Sequence, residues 1–599
     1  MTIMQIQQLS PTMPRQRRQI EQFLAANGLR YDDMDYYAAA ADDASGEIVG
    51  GGGLCGGIIK CIAVDGAHKG EAVANTIVSH LIAVAARRGH HCVRLFTKPQ
   101  NRRLFESLSF RLLAEAPEAI LMETGIGGID TVKKELERCS REKGRVESEK
   151  SDGGASPQPS VGCIVMNCNP FTLGHLYLIE QAARQADRLF VMIVRADCSM
   201  FGYGERKAMA RAATAGMSNV TVIDGSDYAV SATTFPTYFL KRIDDATDTQ
   251  IALDIDLYRR HIAPALGATV RFVGSEPADP LTRRYNERMM HMLGDVRQIE
   301  RMEKDGTAVS ASRVRQAVVE NRLYRAAGLV PPCTMPYLIA HLATRALKAE
   351  LNTTPKPGLV DCRDSGAHRD MDHALMWASI RALHPYFVRL ALMGYADAMP
   401  AAADVQRTGV EAEAAMLRST GGVNTYRGAL FALGLAVVAA ANAAWHQTAD
   451  VLACVRGGIA ALAAHIAAAR GTHGQEACRK AGGQTRLKGA LDSAREGYAM
   501  LFADWLPFYD SRVRSGDTYT LHKTLLRIMC SLDDTNIVYR TGIGTLHEVQ
   551  REAGRLLADF SEEGLQEMNG RFVERNISPG GSADMLSLVV FLHGISRKV

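Results

Sequence analysis

The sequence lacks the features that mark several common classes of protein. It has only 3 Trp among 599 residues, and its formal net charge of +4 is small for that length. With no strong excess of either charge, the composition does not indicate binding to nucleic acid or to an anionic membrane surface. We therefore expect no nucleic-acid partner and no membrane partner, although individual acidic ligands are compatible with the sequence.

Paired cysteines and a signal segment are also lacking. The 12 cysteines are scattered, and none of them forms a Cys-x-x-Cys pair. The N-terminus has no charged start followed by an apolar signal core. These absences predict a protein of the reducing cytosol, so we expect a cytoplasmic location.

One long apolar run, residues 428–445, resembles a membrane span at first sight. It reads GALFALGLAVVAAANAAW, is rich in alanine, contains Asn442 and falls short of the about 20 strongly apolar residues that a span needs. The run therefore predicts a buried core helix.

A change of composition divides the chain. Residues 139–160, CSREKGRVESEKSDGGASPQPS, are charged and then rich in Gly, Ser and Pro, which predicts a flexible linker. We expect a mixed α+β domain in residues 1–138 before it. Strand-like and helical runs alternate in residues 161–330, which predicts an α/β domain with a parallel sheet, and the Ala/Leu-rich residues 331–599 predict an all-helical domain.

Several strands can be placed from short apolar runs bounded by polar residues. The predicted strands are IIKCIAV, HHCVRLFTK and EAILMET before the linker, and VGCIVM, RLFVMIV, VTVIDG and TVRFVG after it.

The first strand after the linker leads into a Thr-Leu-Gly-His tetrad, residues 172–175. A strand that ends at the carboxyl edge of a parallel sheet and turns into a helix presents free backbone N–H groups and the positive end of the helix dipole. Thr172 can cap that helix, Gly174 allows a nucleotide to approach the backbone, and His175 can donate to an α-phosphate. This segment predicts a phosphate site.

The tetrad has a second motif downstream, VSASRVR at residues 309–315. The pair resembles the two signatures of HxGH-type nucleotidyltransferases, with Thr172 where many members have the first histidine. The resemblance implies that His175, Thr172 and Arg315 are catalytic and that hydroxyls and arginine hold the β- and γ-phosphates. The implied ATP-binding residues are Asn169, Pro170, Phe171, Gly174, Arg206, Ser310 and Ser312. For Arg206, a solvated position on a helix face is the open alternative.

Longer stretches, including MNCNPFTLGHLYLIEQAA, IDGSDYAVSATTFPTYFL and YRRHIAPALGATVRFVGSEP, resemble the citrate lyase ligase family. That family activates acetate with ATP and passes the acetyl group to the prosthetic thiol of the lyase's acyl carrier subunit. The resemblance implies a GNAT-like acetyltransferase fold for residues 1–138. The pyrophosphate-binding turn of that fold departs here: Ala67 replaces the usual Gln or Arg, while Gly70 and Ala72 are kept. We expect docking of a CoA-like arm rather than independent acetyl transfer, and a purely structural role is the open alternative.

Four polar, glycine-containing stretches interrupt the helical region: residues 353–372, 419–434, 533–542 and 576–586. The first is rich in Asp and contains a His, and could hold Mg²⁺ against a triphosphate, although a solvated loop explains the same pattern. The second places polar side chains at the start of a predicted buried helix, where anions bind. The third adds an acidic pair, and the fourth adds a Ser-Pro-Gly-Gly helix start.

Together these stretches resemble triphosphoribosyl-dephospho-CoA synthase, which transfers the triphosphoribosyl group of ATP to 3-dephospho-CoA and expels adenine. Such a displacement needs carboxylates near the sugar, a base for the attacking hydroxyl and cationic donors on the triphosphate. By residue type, the base is His368 or Asp533, and Tyr426-Arg427 stands where the family usually has His-Lys. The predicted metal ligands are Asp361, Asp370, Asp372 and Asp534, and contact with the ribose is the open alternative for the first three. The predicted ATP-binding residues are Asn424, Arg427, Asn576, Ser578, Gly580 and Gly581.

The resemblances of the two halves concern the same enzyme, citrate lyase. They imply that the C-terminal half makes its thiol-bearing arm and that the N-terminal half acetylates that arm. The sequence therefore predicts a bifunctional enzyme with ATP, acetate, 3-dephospho-CoA and the acyl carrier subunit as ligands and Mg²⁺ as cofactor. Two alternatives are a pantetheine- or nicotinate-type adenylyltransferase fused to an unrelated helical domain, and a non-catalytic docking scaffold. A class I aminoacyl-tRNA synthetase is disfavoured, because the sequence has neither a Lys-Met-Ser-Lys-Ser-like loop nor a basic, aromatic-rich extension for binding RNA.

Overall fold

The computed structural model describes residues 5–42, 46–68, 71–144, 159–195, 199–226, 228, 244–276, 279–468 and 487–596. Contacts between Cα atoms divide the chain into two compact units. The first unit contains residues 1–168 and 174–308, and the second contains residues 169–173 and 309–599.

The first sheet of the first unit has seven strands in the order β1-β2-β3-β4-β5-β7-β6. Neighbouring strands are antiparallel except for β4 and β5, which are parallel. The strands are β1 (Gln5–Leu9), β2 (Tyr36–Ala41), β3 (Ile48–Cys55), β4 (Ile58–Val64), β5 (Cys92–Thr97), β6 (Arg111–Glu115) and β7 (Ile120–Gly125). The accompanying helices are α1 (Pro14–Ala26), α2 (Glu71–Arg87), α3 (Arg102–Ser107) and α4 (Gly128–Gly144). The predicted mixed α+β architecture of this region is confirmed.

The glycines of β3 allow both faces of this sheet to pack closely. A Cβ atom on Gly50 would lie 2.8 Å from the side chain of Ile77 in α2, and one on Gly51 would lie 2.3 Å from the Tyr37 hydroxyl on the opposite face. Close packing therefore requires glycine at both positions.

The second sheet of the first unit has five parallel strands in the order β10-β9-β8-β11-β12. The strands are β8 (Val161–Met166), β9 (Arg188–Ile193), β10 (Val220–Asp224), β11 (Val270–Gly274) and β12 (Val296–Ile299). The helices are α5 (Leu173–Ala183), α6 (Tyr203–Thr214), α7 (Asp244–Leu257), α8 (Ala263–Leu266) and α9 (Pro280–Met292). The parallel sheet is confirmed. Because the strand order reverses at β8, the carboxyl end of β8 lies at the switch point where ligands of such sheets bind.

The two sheets share one buried apolar cluster, which contains Leu121 of β7 and Phe190 of β9 among others. Polar contacts join them as well: the N–H of Glu115 donates to Asp256 at 2.9 Å.

The start of the predicted linker differs from the structure, because residues 139–144 continue α4, where Leu136 and Cys139 pack against the cluster. Residues 145–158 of that linker, and Gly70, lie outside the described residues.

The second unit is built mainly from helices. A two-stranded sheet, β13 (Glu303–Lys304) with β14 (Thr307–Ala308), precedes it in the chain. The first helices of the second unit are α10 (Ala311–Val319), α11 (Leu323–Ala327), α12 (Met335–Asn352), α13 (His373–Gly394), α14 (Ala402–Ser419), α15 (Arg427–Trp445) and α16 (Val451–His465). The remaining described helices are α17 (Ala490–Arg495), α18 (Leu506–Arg514), α19 (Thr520–Met529), α20 (Thr535–Thr541), α21 (Ile543–Ala558), α22 (Glu562–Glu574) and α23 (Gly580–Ile595). The helical prediction is confirmed for the described residues from 331 onward.

Helix α15 lies at the centre of this unit and packs against α12, α13, α16 and α23. Its residues are apolar on all sides, and most of them are buried. Among the described residues it is the one helix long and apolar enough to cross a membrane, judged by length and composition alone. The prediction of a buried core helix is confirmed for this run.

Candidate functional sites

In the first unit, the switch point is followed by the histidine of the tetrad. Strand β8 ends at Met166, and His175 lies in the first turn of α5. Desolvation, with a smaller contribution from the positive charge of Arg301, lowers the pKa of His175 to about 4. The imidazole is therefore neutral near pH 7 and can donate one hydrogen bond without carrying a charge.

Arg206 of α6 lies beside the carboxyl ends of the central strands. Its side chain is fully buried. Its Nη1 donates to the backbone oxygens of Asn167 (2.7 Å) and Val194 (2.8 Å), which directly follow β8 and β9, and its Nε donates to Phe201 O at 3.1 Å. Arg206 was predicted to bind ATP, with a solvated position as the alternative. The solvated position is wrong, because the side chain is buried, and the contacts of Arg206 join the ends of two strands. ATP binding by Arg206 stays a prediction.

We expect the substitution Arg206→Met to destabilise the first unit by about 3 kcal/mol or more, because it leaves several buried carbonyl groups without a donor. The measurement is urea unfolding followed by circular dichroism. The matched control is Arg211→Met on the exposed part of the same helix, which should change stability by less than about 0.5 kcal/mol. Equal stability of the two variants would contradict this role for Arg206.

In the second unit, residues 169–173 lie against the segment that contains the second motif. Arg315 Nη1 donates to the backbone oxygen of Asn169 at 2.5 Å, and Arg315 Nη2 donates to Ser312 Oγ at 2.9 Å. Ser310 caps α10, where its Oγ accepts from the N–H of Arg313 at 3.3 Å. Asn169, Ser312 and Arg315 are thus brought together, as the two motifs predict.

The middle of the tetrad segment is buried. Phe171 and Thr172 are 0% and 1% exposed, and the Phe171 carbonyl accepts from Thr334 Oγ1 at 3.1 Å. Pro170 is buried as well, and Thr172 directly precedes the first residue of α5, where a helix cap is expected. These side chains therefore shape the turn, while Gly174 follows in the first turn of the helix.

In the helical unit, Asp361 organises the loop of residues 353–372. Its carboxylate is 2% exposed and accepts from the backbone N–H groups of Lys356 (3.0 Å), Arg363 (2.7 Å) and Asp364 (3.1 Å). The oxygens of this predicted metal ligand are thus engaged with protein donors.

A buried ion pair joins the same loop to α12. Lys356 Nζ contacts Glu350 Oε1, and the two residues are 1% and 2% exposed. Desolvation raises the pKa of Glu350, whereas the neighbouring Lys356 lowers it. The lysine therefore keeps a buried carboxylate compatible with its surroundings.

His368 lies in a polar network that the sequence prediction captured only in part. Its Nε2 lies 2.8 Å from Ser578 Oγ, and its Nδ1 lies 3.2 Å from Arg540 Nη2. Because arginine can only donate, Nδ1 must accept, and the ring proton therefore resides on Nε2 and is donated to Ser578. Arg540 Nη1 donates to Asn576 Oδ1 and to Ala367 O, both at 3.0 Å.

This network bears on the choice of base. Desolvation, together with the positive charge of Arg540, lowers the pKa of His368 to about 4. Both of its ring nitrogens are engaged, whereas the other candidate, Asp533, is partly exposed at the start of α20. These contacts hold His368 against Ser578 and leave Asp533 the more accessible of the two predicted bases, and the choice between them stays a prediction.

Asp534 caps two helices. Its carboxylate accepts from the N–H groups of Asn536 (3.0 Å), Gly581 (3.3 Å) and Ser582 (2.8 Å) and from Ser582 Oγ (3.0 Å). Desolvation raises its pKa against these donors. A Cβ at 581 would lie 3.0 Å from Asp534 Oδ1 and one at 580 would lie 2.8 Å from Asn536 Nδ2, so a side chain at either position would crowd these polar groups.

The predicted metal ligands do not fit a metal ion held by the protein. Asp361 and Asp534 are occupied by backbone donors, Asp370 is exposed, and Asp372 caps α13 by accepting from the N–H of Leu375 at 2.8 Å. Within the described part of the second unit, no three of these carboxylates bring oxygens within 4.8 Å of one another. The prediction of a Mg²⁺ site on these four residues is not supported by this arrangement.

The start of α15 carries the remaining predicted ATP-binding residues. Asn424 Oδ1 accepts from the N–H of Arg427 at 3.2 Å, and the Arg427 side chain pairs with Glu413. Both residues are exposed or partly exposed, so a ligand can reach them.

Comparison with known proteins decides the identity of both regions. Residues 161–338 match the family profile described as citrate lyase ligase C-terminal domain, and residues 336–599 match the one described as ATP:dephospho-CoA triphosphoribosyl transferase. The citrate pro-3S-lyase ligase of Klebsiella pneumoniae is 38% identical over 341 residues, which cover 55% of this chain and 95% of that protein. The ligase of Haemophilus influenzae is 37% identical and is covered to 98%, with 56% of this chain aligned.

The synthase match is equally extensive. The 2-(5''-triphosphoribosyl)-3'-dephosphocoenzyme-A synthase of Klebsiella pneumoniae is 37% identical over 268 residues, which cover 41% of this chain and 87% of that protein. The chain belongs to both families. The resemblances drawn from the sequence are thus confirmed, and both families are named as enzymes. The alternative of an unrelated helical domain is wrong, because that region is a member of the synthase family.

We use "synthase region" for residues 336–599 and "ligase region" for the residues before them. In the synthase region, the prediction assigned no role to Arg540 or Asp584, although both lie within recognised stretches, residues 533–542 and 576–586. Restricted solvation raises the pKa of Asp584 well above its usual range, and the negative charges of Asp534 and Glu350 add to the effect. The sequence signal for Asp584 was its position four residues after Gly580, on the first turns of α23.

Proposed function

We propose that the chain is a bifunctional enzyme of citrate lyase maturation. One observation carries the proposal: the chain holds a nearly complete member of the ligase family followed by a nearly complete member of the synthase family. The ligase region acetylates the prosthetic thiol of the lyase's acyl carrier subunit, with acetate and ATP as co-substrates. The synthase region makes the precursor of that prosthetic group from ATP and 3-dephospho-CoA.

The ligase reaction proceeds through an acetyl-adenylate. An acetate oxygen attacks the α-phosphorus of ATP, a P–O bond forms, and pyrophosphate leaves with the electrons of the broken P–O bond. The carrier thiol then displaces AMP. The neutral imidazole of His175 donates to the α-phosphate, and Arg315 with Ser312 binds the departing pyrophosphate.

The support for these roles is electrostatic and geometric. A neutral imidazole adds a donor without attracting the negatively charged phosphates so strongly that product release slows. The Arg315 guanidinium is already aligned by the Asn169 carbonyl and by Ser312, so little side-chain entropy is lost when a phosphate binds.

The synthase reaction replaces the bond between the ATP ribose and adenine. The 2′-hydroxyl oxygen of dephospho-CoA attacks the anomeric carbon of the ATP ribose, a C–O bond forms, and adenine leaves as the C–N bond breaks. The hydroxyl proton leaves through a base and ultimately reaches adenine. Arg540 and Arg427 provide cationic donors for the triphosphate, and Asp533 is the preferred base because His368 has both ring nitrogens engaged.

The experiment that tests the proposal follows pyrophosphate and adenine in separate assays of the purified chain. Pyrophosphate release from ATP should depend on acetate, and adenine release should depend on dephospho-CoA. Pyrophosphate release that responds to a pantetheine or nicotinate nucleotide and not to acetate would replace the ligase assignment with an adenylyltransferase. Failure of both assays would favour the non-catalytic scaffold.

A further inference from the structure

Two buried tyrosine hydroxyls of the synthase region have no hydrogen-bond partner in the described part of the chain. Tyr426 and Tyr498 are 3% and 4% exposed, and neither hydroxyl has a hydrogen-bond partner among the residues that the structure describes. Buried polar groups are nearly always hydrogen-bonded, because leaving one unsatisfied costs the desolvation of that group. Two such groups in one region indicate that something other than the described protein atoms completes them.

Both tyrosines lie within electrostatic range of one carboxylate. The negative charge of Asp584 contributes to the raised pKa of both tyrosines, in each case after the larger effect of burial, and Glu350 contributes at Tyr426 as well. The three residues come from separate parts of the chain: Tyr426 precedes α15, Tyr498 follows α17, and Asp584 lies on α23. Helix α15 packs against both α17 and α23, so the three residues belong to elements that lie together.

Asp584 is held in place by the start of α15. A Cβ atom on Gly428 would lie 1.9 Å from Asp584 Oδ2, so only glycine allows the carboxylate to lie against this backbone. The N–H of Ala429, one residue further along, donates to Asp584. The side chain also keeps partial solvent exposure, so a ligand can reach it.

The neighbouring carboxylates have protein partners of their own. Glu350 is paired with Lys356, and Asp534 accepts four hydrogen bonds at the starts of α20 and α23. Among these carboxylates and tyrosines, Asp584, Tyr426 and Tyr498 are therefore the groups that can still form hydrogen bonds with a ligand.

We propose that Asp584, Tyr426 and Tyr498 form a subsite that binds the hydroxyl groups of a nucleotide ribose. A sugar hydroxyl can donate to the carboxylate and accept from a tyrosine O–H, so adjacent ribose hydroxyls complete all three groups. The assignment of the ribose to a particular nucleotide rests on the proposed function, in which ATP and dephospho-CoA each carry one.

The test compares Tyr426→Phe, Tyr498→Phe and Asp584→Asn with the wild-type full-length chain. Equilibrium dialysis measures binding of ATP and dephospho-CoA, and each is compared with its 2′-deoxy and 3′-deoxy forms. We expect each tyrosine variant to weaken one nucleotide by about fivefold and Asp584→Asn to weaken it by about thirtyfold. For one nucleotide, the substitutions should weaken binding of the ribose form but not of a deoxy form. That nucleotide is the one whose ribose occupies the subsite.

Stability separates binding from a structural role. Removal of an unpartnered buried hydroxyl should leave the melting temperature of the ligand-free chain unchanged or raise it, while nucleotide binding weakens. The matched control is Tyr37→Phe in the first unit, whose hydroxyl is also buried and without a partner among the described residues. It should not change the binding of either nucleotide.

Two results would overturn the subsite: unchanged nucleotide affinity in all three variants, or equal losses for ribose and deoxyribose ligands. A different result would show that the proposed function is wrong. If the wild-type chain releases no adenine but binds a nucleotide through these three residues, the synthase assignment is wrong and the subsite stands.

Discussion

Replacing His175 with alanine should lower acetate-dependent AMP formation by about 10²-fold to 10³-fold. The neutral imidazole is the donor that we assign to the α-phosphate, where negative charge develops as pyrophosphate leaves. Alanine removes that donor and cannot replace it with another group. The measurement is the rate of AMP formation with ATP, acetate and the thiol-bearing carrier, at saturating concentrations of all three.

The chain provides an internal control for this variant. Adenine release in the presence of dephospho-CoA should be unchanged in His175→Ala, because we assign that reaction to residues of the synthase region. A second control is His291→Ala on α9, an exposed histidine whose Nδ1 lies 2.7 Å from the backbone oxygen of Glu287. Undiminished AMP formation in His175→Ala would remove this residue from the ligase mechanism.

The substitution Lys356→Met should destabilise the helical unit by about 3 to 5 kcal/mol, since it leaves Glu350 as an unpaired buried carboxylate. The nearby negative charge of Asp361 makes that carboxylate still harder to accommodate. The measurement is the free energy of urea unfolding, followed through the loss of helical circular dichroism.

The double variant Glu350→Gln with Lys356→Met should recover part of this stability, because the uncompensated charge is then absent. The matched control is Arg389→Met, which breaks the exposed pair with Glu411, whose side chains are 47% and 44% exposed. We expect that change to cost less than about 1 kcal/mol. A similar small cost for Lys356→Met would show that the buried pair does not support the fold.

Strands were predicted from the sequence where apolar and β-branched residues dominate. The run Val161–Met166 forms β8 with the predicted bounds. By contrast, β2 reads YYAAAA and β3 reads IVGGGGLC, and neither was predicted, because Ala and Gly have low intrinsic preference for strands. Those two strands depend on tertiary packing, such as the approach of α2 to the glycines of β3, which a single sequence does not display.

In the candidate sites as well, some features could be predicted from the sequence and others could not. The contact between Asn169 and Arg315 follows from two recognisable motifs. The buried position of Arg206 could not be foreseen, because the carbonyl groups that it binds belong to backbone at the ends of strands. Likewise, Asp361 and Asp534 resemble metal ligands by residue type, and only their contacts reveal that backbone donors occupy them.

The central claim is that one chain cleaves ATP in two different ways, and a single chromatographic analysis of the nucleotide products tests it most directly. The purified chain is incubated with ATP and dephospho-CoA in one vessel, and with ATP, acetate and the thiol-bearing carrier in another. We predict free adenine without AMP in the first vessel, and AMP without adenine in the second. The same product, adenine or AMP, in both vessels would contradict the account, and so would the absence of adenine from the first vessel.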